Sequence, residues 1–163
     1  YQATAWYMKI TLLVVGKTTD THIEKLIQEY QKRLVHYVPF ALTVIPELKN
    51  TKSLTSQQQK QVEGELILKY ITPSTDMILL DERGTEFRSI EFADYIQKKM
   101  SSGRDVVFVV GGPYGFSESV YQRANAKISL SKMTFSHQMV RLFFVEQIYR
   151  AMTILRSEPY HHE

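Results

Sequence analysis

The sequence contains no cysteine. Disulfide frameworks, thiolate nucleophiles and sulfur-ligated metals are therefore excluded, and the chain fits a reducing compartment. Nor is there an apolar run long enough to cross a bilayer, which takes about 20 residues. The first seven residues, YQATAWY, have no basic segment, no apolar stretch of signal length and no clear cleavage site. A strand-like run opens at Met8, so residues 1–7 read as an appended or upstream extension, residues 8–163 as one domain, and the protein as cytoplasmic. There is no internal repeat and no low-complexity segment. Charge is nearly balanced, with 20 Lys and Arg against 17 Asp and Glu, a net charge of +3 and a pI near 9.0. That excess is compatible with a polyanionic partner and equally with an ordinary basic surface.

What remains is an ordinary globular composition, 44% hydrophobic and 23% charged, in a chain able to bury about two-thirds of its unfolded surface. Apolar strand runs alternate with helical patterns. MKITLLVVGK, FALTVI, DMILLD, RDVVFVVGG and KISLS read as strands. HIEKLIQEYQKRL, TSQQQKQVEGELILKYI, SIEFADYIQKKM, a short stretch near 117–124 and a long one over about 137–155 read as helices. Thr55 or Ser56 is placed to cap the second helix, Pro39 and Pro73 interrupt the pattern, and the polar stretch 47–53 reads as a flexible loop. Alternation of this kind predicts an α/β fold with a mostly parallel sheet covered on both faces. The strands ITLLVV, MILL and VVFVV are apolar at successive positions, as strands buried on both faces are.

Parallel sheets bind ligands at the carboxyl ends of their strands, and three ends here carry suggestive chemistry: LLDERG, VVGGPYG and LSKMTF. The glycines at 111, 112 and 115 match neither the dinucleotide fingerprint nor a phosphate loop, so a tight turn and a ligand loop remain equal readings. Asp81 and Glu82 read as a solvated turn, since neighbouring carboxylates on a strand point to opposite sides. His137 opens the last helix without a triad at any familiar spacing. His161 and His162 are adjacent and cannot easily share one ion, so no metal is expected. The last helix is apolar almost all round, leaving only a narrow polar stripe at Gln138, Arg141, Tyr149 and Arg156. A helix facing its own core needs a single apolar stripe, so the surplus predicts a symmetric partner subunit.

Taken together, LLDERG, FVVGGPYGF, SLSKMTFSHQMVRLFFVEQIYRA and the ending PYHHE resemble the signature segments of the ribosomal RNA large subunit methyltransferase H family, in the SPOUT class of knotted methyltransferases. The likeness runs from MKITLLVVGK to the end and departs at Ser136, where the family usually has proline. It implies an α/β sheet with helices on both faces and a C-terminal trefoil knot, and S-adenosyl-L-methionine as methyl donor. Carried onto this chain, the donor-binding positions are Leu80, Gly111, Leu130, Ser131, Lys132, Met133, Thr134 and Phe135. The implied activity is methylation of N3 of a pseudouridine in large-subunit ribosomal RNA within the assembled ribosome, by a homodimer. That imide must lose a proton to attack, which points to Tyr160 and His161 as positioning or proton-handling groups and to Arg150 as an electrostatic helper. The structural alternative pairs Arg150 with Glu146. A knotted methyltransferase acting on another RNA and a non-catalytic dimeric RNA- or nucleotide-binding module are the competing functions.

Overall fold

Five apolar runs pair into one sheet of order β2-β1-β4-β3-β5 in a computed structural model that describes residues 8–162. The strands are β1 (Ile10–Val15), β2 (Phe40–Ile45), β3 (Asp76–Glu86), β4 (Val106–Val110) and β5 (Ala126–Ser129). The helices are α1 (Thr21–Leu34), α2 (Ser56–Leu68), α3 (Ser89–Ser102), α4 (Glu118–Arg123) and α5 (His137–Leu155), with a 3-10 turn at Thr51–Ser53 inside the polar loop. Every strand pairing is parallel, as the alternating pattern requires. The reading of residues 1–7, and Glu163 of the C-terminal ending, lie outside the described residues.

Successive strand residues fall into two different cores. Ile10, Leu12, Val14, Ile78, Phe108 and Val110 pack with Ile27 of α1, Phe92 and Ile96 of α3 and Phe144, Val145 and Ile148 of α5. Leu13, Met77, Leu79, Val107 and Val109 pack with Ile67 of α2 and Val120 of α4. Because side chains alternate across a strand, filling both faces demands apolar residues at consecutive positions. α5 lies between α1 and α3 and touches both.

The helix starts are set by short polar side chains that satisfy orphan backbone N–H groups. Asp20 accepts from the N–H groups of His22 and Ile23, Thr55 and Gln58 form a reciprocal capping box, and Ser117 caps α4. Ser136, the departure from the family's proline, caps α5 by accepting from the Met139 N–H at 3.1 Å. At the other end of α3, Gly103 closes the helix with φ of 71°, a conformation glycine adopts without steric cost.

Two readings need correction. DMILLD reads as a whole strand ending at Asp81, yet β3 continues to Glu86. Leu80 and Thr85 both register with Ile128 of β5, so Asp81–Gly84 is an excursion after which the strand rejoins its neighbour. Gly84 is needed there, because a Cβ would lie 2.6 Å from the backbone of Lys127 and Ile128. Arg141, on the narrow polar stripe of α5, is only 2% exposed. Its guanidinium donates to the carbonyls of His137 and Val15, each at 3.0 Å, and to Thr18 Oγ1 at 3.1 Å. Burial pulls its pKa down and the charges of Glu24 and Glu47 oppose that. Tyr149, also assigned to the stripe, packs its ring against Tyr30, Tyr37 and Tyr160.

Candidate active site

The carboxyl ends of β3, β4 and β5 open into one cleft of about 550 Å³. Leu80, Gly111, Leu130, Ser131, Met133, Thr134 and Phe135 all line it. Lys132 does not: its side chain is 87% exposed and lies 4.0 Å from Glu86. The β5 loop holds its shape through its own hydroxyls, Ser129 Oγ donating to the Ser131 carbonyl at 2.8 Å and Ser131 Oγ accepting from the Met133 N–H at 2.9 Å. In the β4 loop Gly115 has φ of 81° and donates its N–H to the Gly112 carbonyl at 3.1 Å. A Cβ on Gly111 would meet the Phe116 ring at 3.1 Å, so a side chain there would crowd that ring beside the cleft. The glycines thus form a tight turn that is also a wall of the cleft.

Several lining groups were missed or misread. Asp81 and Glu82 are in the wall, and the Asp81 side chain is 7% exposed rather than solvated. The Tyr121 hydroxyl donates to Asp81 Oδ2, the Arg83 N–H donates to Oδ1 at 2.8 Å, and Arg83 Nη2 donates to the Tyr121 oxygen at 3.0 Å. Burial works to raise the Asp81 pKa, but the hydrogen bonds from Tyr121 and the Arg83 backbone, with the charges of Arg83 and Lys127, outweigh it and hold the carboxyl below its usual range. Burial and the Asp81 hydrogen bond push Tyr121 up. Tyr121 sits on α4, remote in sequence, and carried no local signal. Asp81 had one, a carboxylate immediately following a buried strand. His137 also lines the cleft.

Arg150, Tyr160 and His161 are together, but none of them lines this cleft. The tail folds back along α5. Arg150 Nη2 donates to Glu146 Oε2 at 2.9 Å, the ion pair of the structural alternative. Tyr160 donates to the same oxygen at 2.8 Å and meets the Tyr30 hydroxyl at 3.0 Å. Burial, followed by its bonds to Tyr30 and Glu146, raises the Tyr160 pKa far above the ordinary phenol range. Arg150 Nη1 lies 3.0 Å from His161 Nδ1. Glu146 connects the cluster to a second hollow of about 270 Å³, whose wall shares Ser129, Leu130 and Phe135 with the cleft. Among the described residues no group of three or more His, Asp or Glu is arranged to hold a metal, and no helix is long and apolar enough to cross a membrane.

Residues 8–161 match the family profile described as "Predicted SPOUT methyltransferase". The chain belongs to the SPOUT methyltransferase family. Proteins named ribosomal RNA large subunit methyltransferase H are similar over nearly the whole chain. That of Parabacteroides distasonis is 60% identical over 157 residues, 96% of this chain and all of the relative. Those of Bacteroides thetaiotaomicron and Flavobacterium psychrophilum are 62% and 57% identical over the same shares. The cleft combines apolar walls at Leu80, Leu130 and Phe135, backbone at Gly111, and carboxylates at Asp81 and Glu82.

Proposed function

We propose that this protein transfers the methyl group of S-adenosyl-L-methionine to N3 of a pseudouridine in large-subunit ribosomal RNA, within the assembled ribosome and as a homodimer in the cytoplasm. The observation that carries the reading is the convergence of three strand-end loops, with Leu80, Gly111 and the stretch from Leu130 to Phe135, on one cleft in a chain so similar to proteins named for that RNA. The donor supplies an activated methyl group on a sulfonium sulfur. Leu80, Leu130 and Phe135 would flank its adenosine, the backbone around Gly111 and Ser131 would bond its polar edges, and Asp81 would face its positive charge. The fold reading includes the C-terminal trefoil knot, which would fix these loops against one another. Alignment of the two reactants supplies much of the acceleration, up to about 7–11 kcal/mol in well-oriented systems.

A homodimer accounts for two features. Phe143 on α5 and Met133 beside the cleft are large apolar side chains left 38% and 76% exposed. Arg150, Tyr160 and His161 sit apart from the cleft of their own chain, so a second copy would bring them to it. A net charge of +3 gives one copy a weak hold on bare RNA, since affinity scales with the number of phosphates neutralised. The shape of the assembled particle would supply the specificity.

Two measurements test this. Calorimetry with S-adenosyl-L-methionine is expected to show binding; its absence would leave only a non-catalytic module. Incubation with labelled donor and ribosomes from a strain lacking this protein, followed by mapping of the label, is expected to find one methylated pseudouridine in the large-subunit RNA. Label in another RNA would replace the proposed substrate.

A further inference from the structure

A third hollow, of about 450 Å³, adjoins the cleft beside the edge strand β5. Arg83 and Tyr121 belong to the walls of both. Lys127 projects from β5 toward α4. The register sets that direction: Lys127 sits beside Leu79, which packs in the core under α2 and α4. Lys127 Nζ and the guanidinium carbon of Arg83 each lie 5.6 Å from the centre of the Tyr121 ring. Both cations are exposed to solvent. Their counter-charge is thin. Asp81, 3.7 Å from Arg83 Nε, is already bonded to Tyr121 and to the Arg83 N–H. Lys127 makes no ion pair among the described residues. The one carboxylate in the lining of the hollow, Glu118, takes a hydrogen from Gln122. Two like charges held against one ring repel each other, and a bound anion would relieve that repulsion.

We propose that Lys127 and Arg83 hold the sugar-phosphate backbone of the RNA strand whose target nucleotide enters the cleft. The inference rests on the methyltransferase reading above and adds to it a surface that positions the substrate. A strand reaching the cleft brings a negative charge with each nucleotide, and its affinity follows the number of phosphates neutralised. Phosphate contacts fix register and orientation without reading sequence. A flexible ammonium and an exposed guanidinium supply that kind of contact. Tyr121 serves both places: its hydroxyl steadies Asp81 in the cleft, and its ring keeps the two cations together outside it. An acidic protein surface would suit the same charges, but the hollow shares its wall with the cleft, where the proposed substrate is RNA. A lysine on an edge strand also discourages unwanted strand pairing. That role makes no demand on Arg83 and gives Lys127 no part in holding ribosomes.

The test is binding of the full-length protein to ribosomes from a strain lacking it, followed from about 50 to 200 mM salt. The logarithm of the wild-type affinity is expected to fall linearly with that of the salt concentration. Lys127→Gln should make this slope shallower by about 0.7–0.9, the share of one phosphate, raising KM for ribosomes while kcat and donor affinity are kept. Lys127→Arg keeps the charge and should restore the slope. Lys98→Gln, from an exposed lysine on α3 across the sheet, should leave it alone. A Lys127→Gln slope equal to that of the wild type, on ribosomes that the wild type methylates, overturns this inference alone. So does an equal loss in Lys98→Gln, which would make the effect one of overall charge. The chain has no cysteine, so Lys127→Cys can carry a single photo-crosslinking group. Crosslinks are expected on large-subunit RNA; crosslinks to ribosomal protein alone would assign the surface to an acidic protein and overturn the inference. A wild type that methylates no ribosomal RNA overturns the proposed function and this inference with it.

Discussion

Asp81 is a carboxylate that burial disfavours and hydrogen bonding rescues. With Tyr121 and the Arg83 N–H donating to it, it remains ionised in the cleft wall, where it is suited to a cationic donor. Asp81→Asn keeps the shape and removes the charge, and is expected to weaken donor binding about tenfold or more by calorimetry, roughly 1.4 kcal/mol. Because its pKa is lowered on folding, the stability Asp81 contributes is present above the ordinary aspartate value near ~3.9 and is lost as pH falls through the lower folded value. Ser136 is a smaller case. Ser136→Ala removes the α5 cap and is expected to cost about 1 kcal/mol in denaturant unfolding. Its φ of −65° matches the angle that proline imposes, so Ser136→Pro should be more stable than Ser136→Ala, because proline lowers the conformational entropy of the unfolded chain.

Among the elements, β3 and α5 place the chemistry. The Asp81–Gly84 excursion depends on the close pass of Gly84 over β5. Gly84→Ala is expected to push the strands apart, lowering thermal stability and donor affinity together. Gly103→Ala, at a helix end with open space around it, should strain its own φ and leave donor binding alone. Arg141→Met is expected to destabilise by about 2 kcal/mol or more in chemical denaturation, because the carbonyls of Val15 and His137 lose their buried donors. The strands were legible because burial on both faces writes itself as consecutive apolar residues, and the helix starts because Asp, Thr and Ser precede them. The continuation of β3 was not: DERG has the composition of a turn, and only pairing with Ile128 makes it resume as a strand. A helical projection of α5 was blind in the same way. It assigns Arg141 a direction without revealing that Val15 and Thr18 wait there to accept its hydrogens.

For the whole molecule, the three strand-end loops that line the cleft were legible as apolar strands ending in polar and glycine-rich residues, whereas Tyr121, which steadies Asp81, comes from a distant helix and only folding reveals it. Phe143, the exposed large apolar side chain of α5 among the described residues, gives the proposed dimer its test. Phe143→Asp is expected to yield monomers in light scattering that still bind donor but no longer methylate ribosomes. Alkaline stability has a separate origin. Burial and the bond to Glu158 push the Tyr37 pKa up to about 12. The stability it contributes is complete below the ordinary phenol value near ~10 and vanishes as pH rises through about 12. Melting temperatures of the wild type should therefore fall more steeply over that window than those of Tyr37→Phe.

α5 is the last helix of the chain, yet it fills the middle of one core and, through Arg141 and Gln138, ties down the loop that follows the first strand. The first strand and its following loop therefore reach their final packing only once a helix more than 100 residues downstream has been made, so this core assembles around its latest element rather than its earliest.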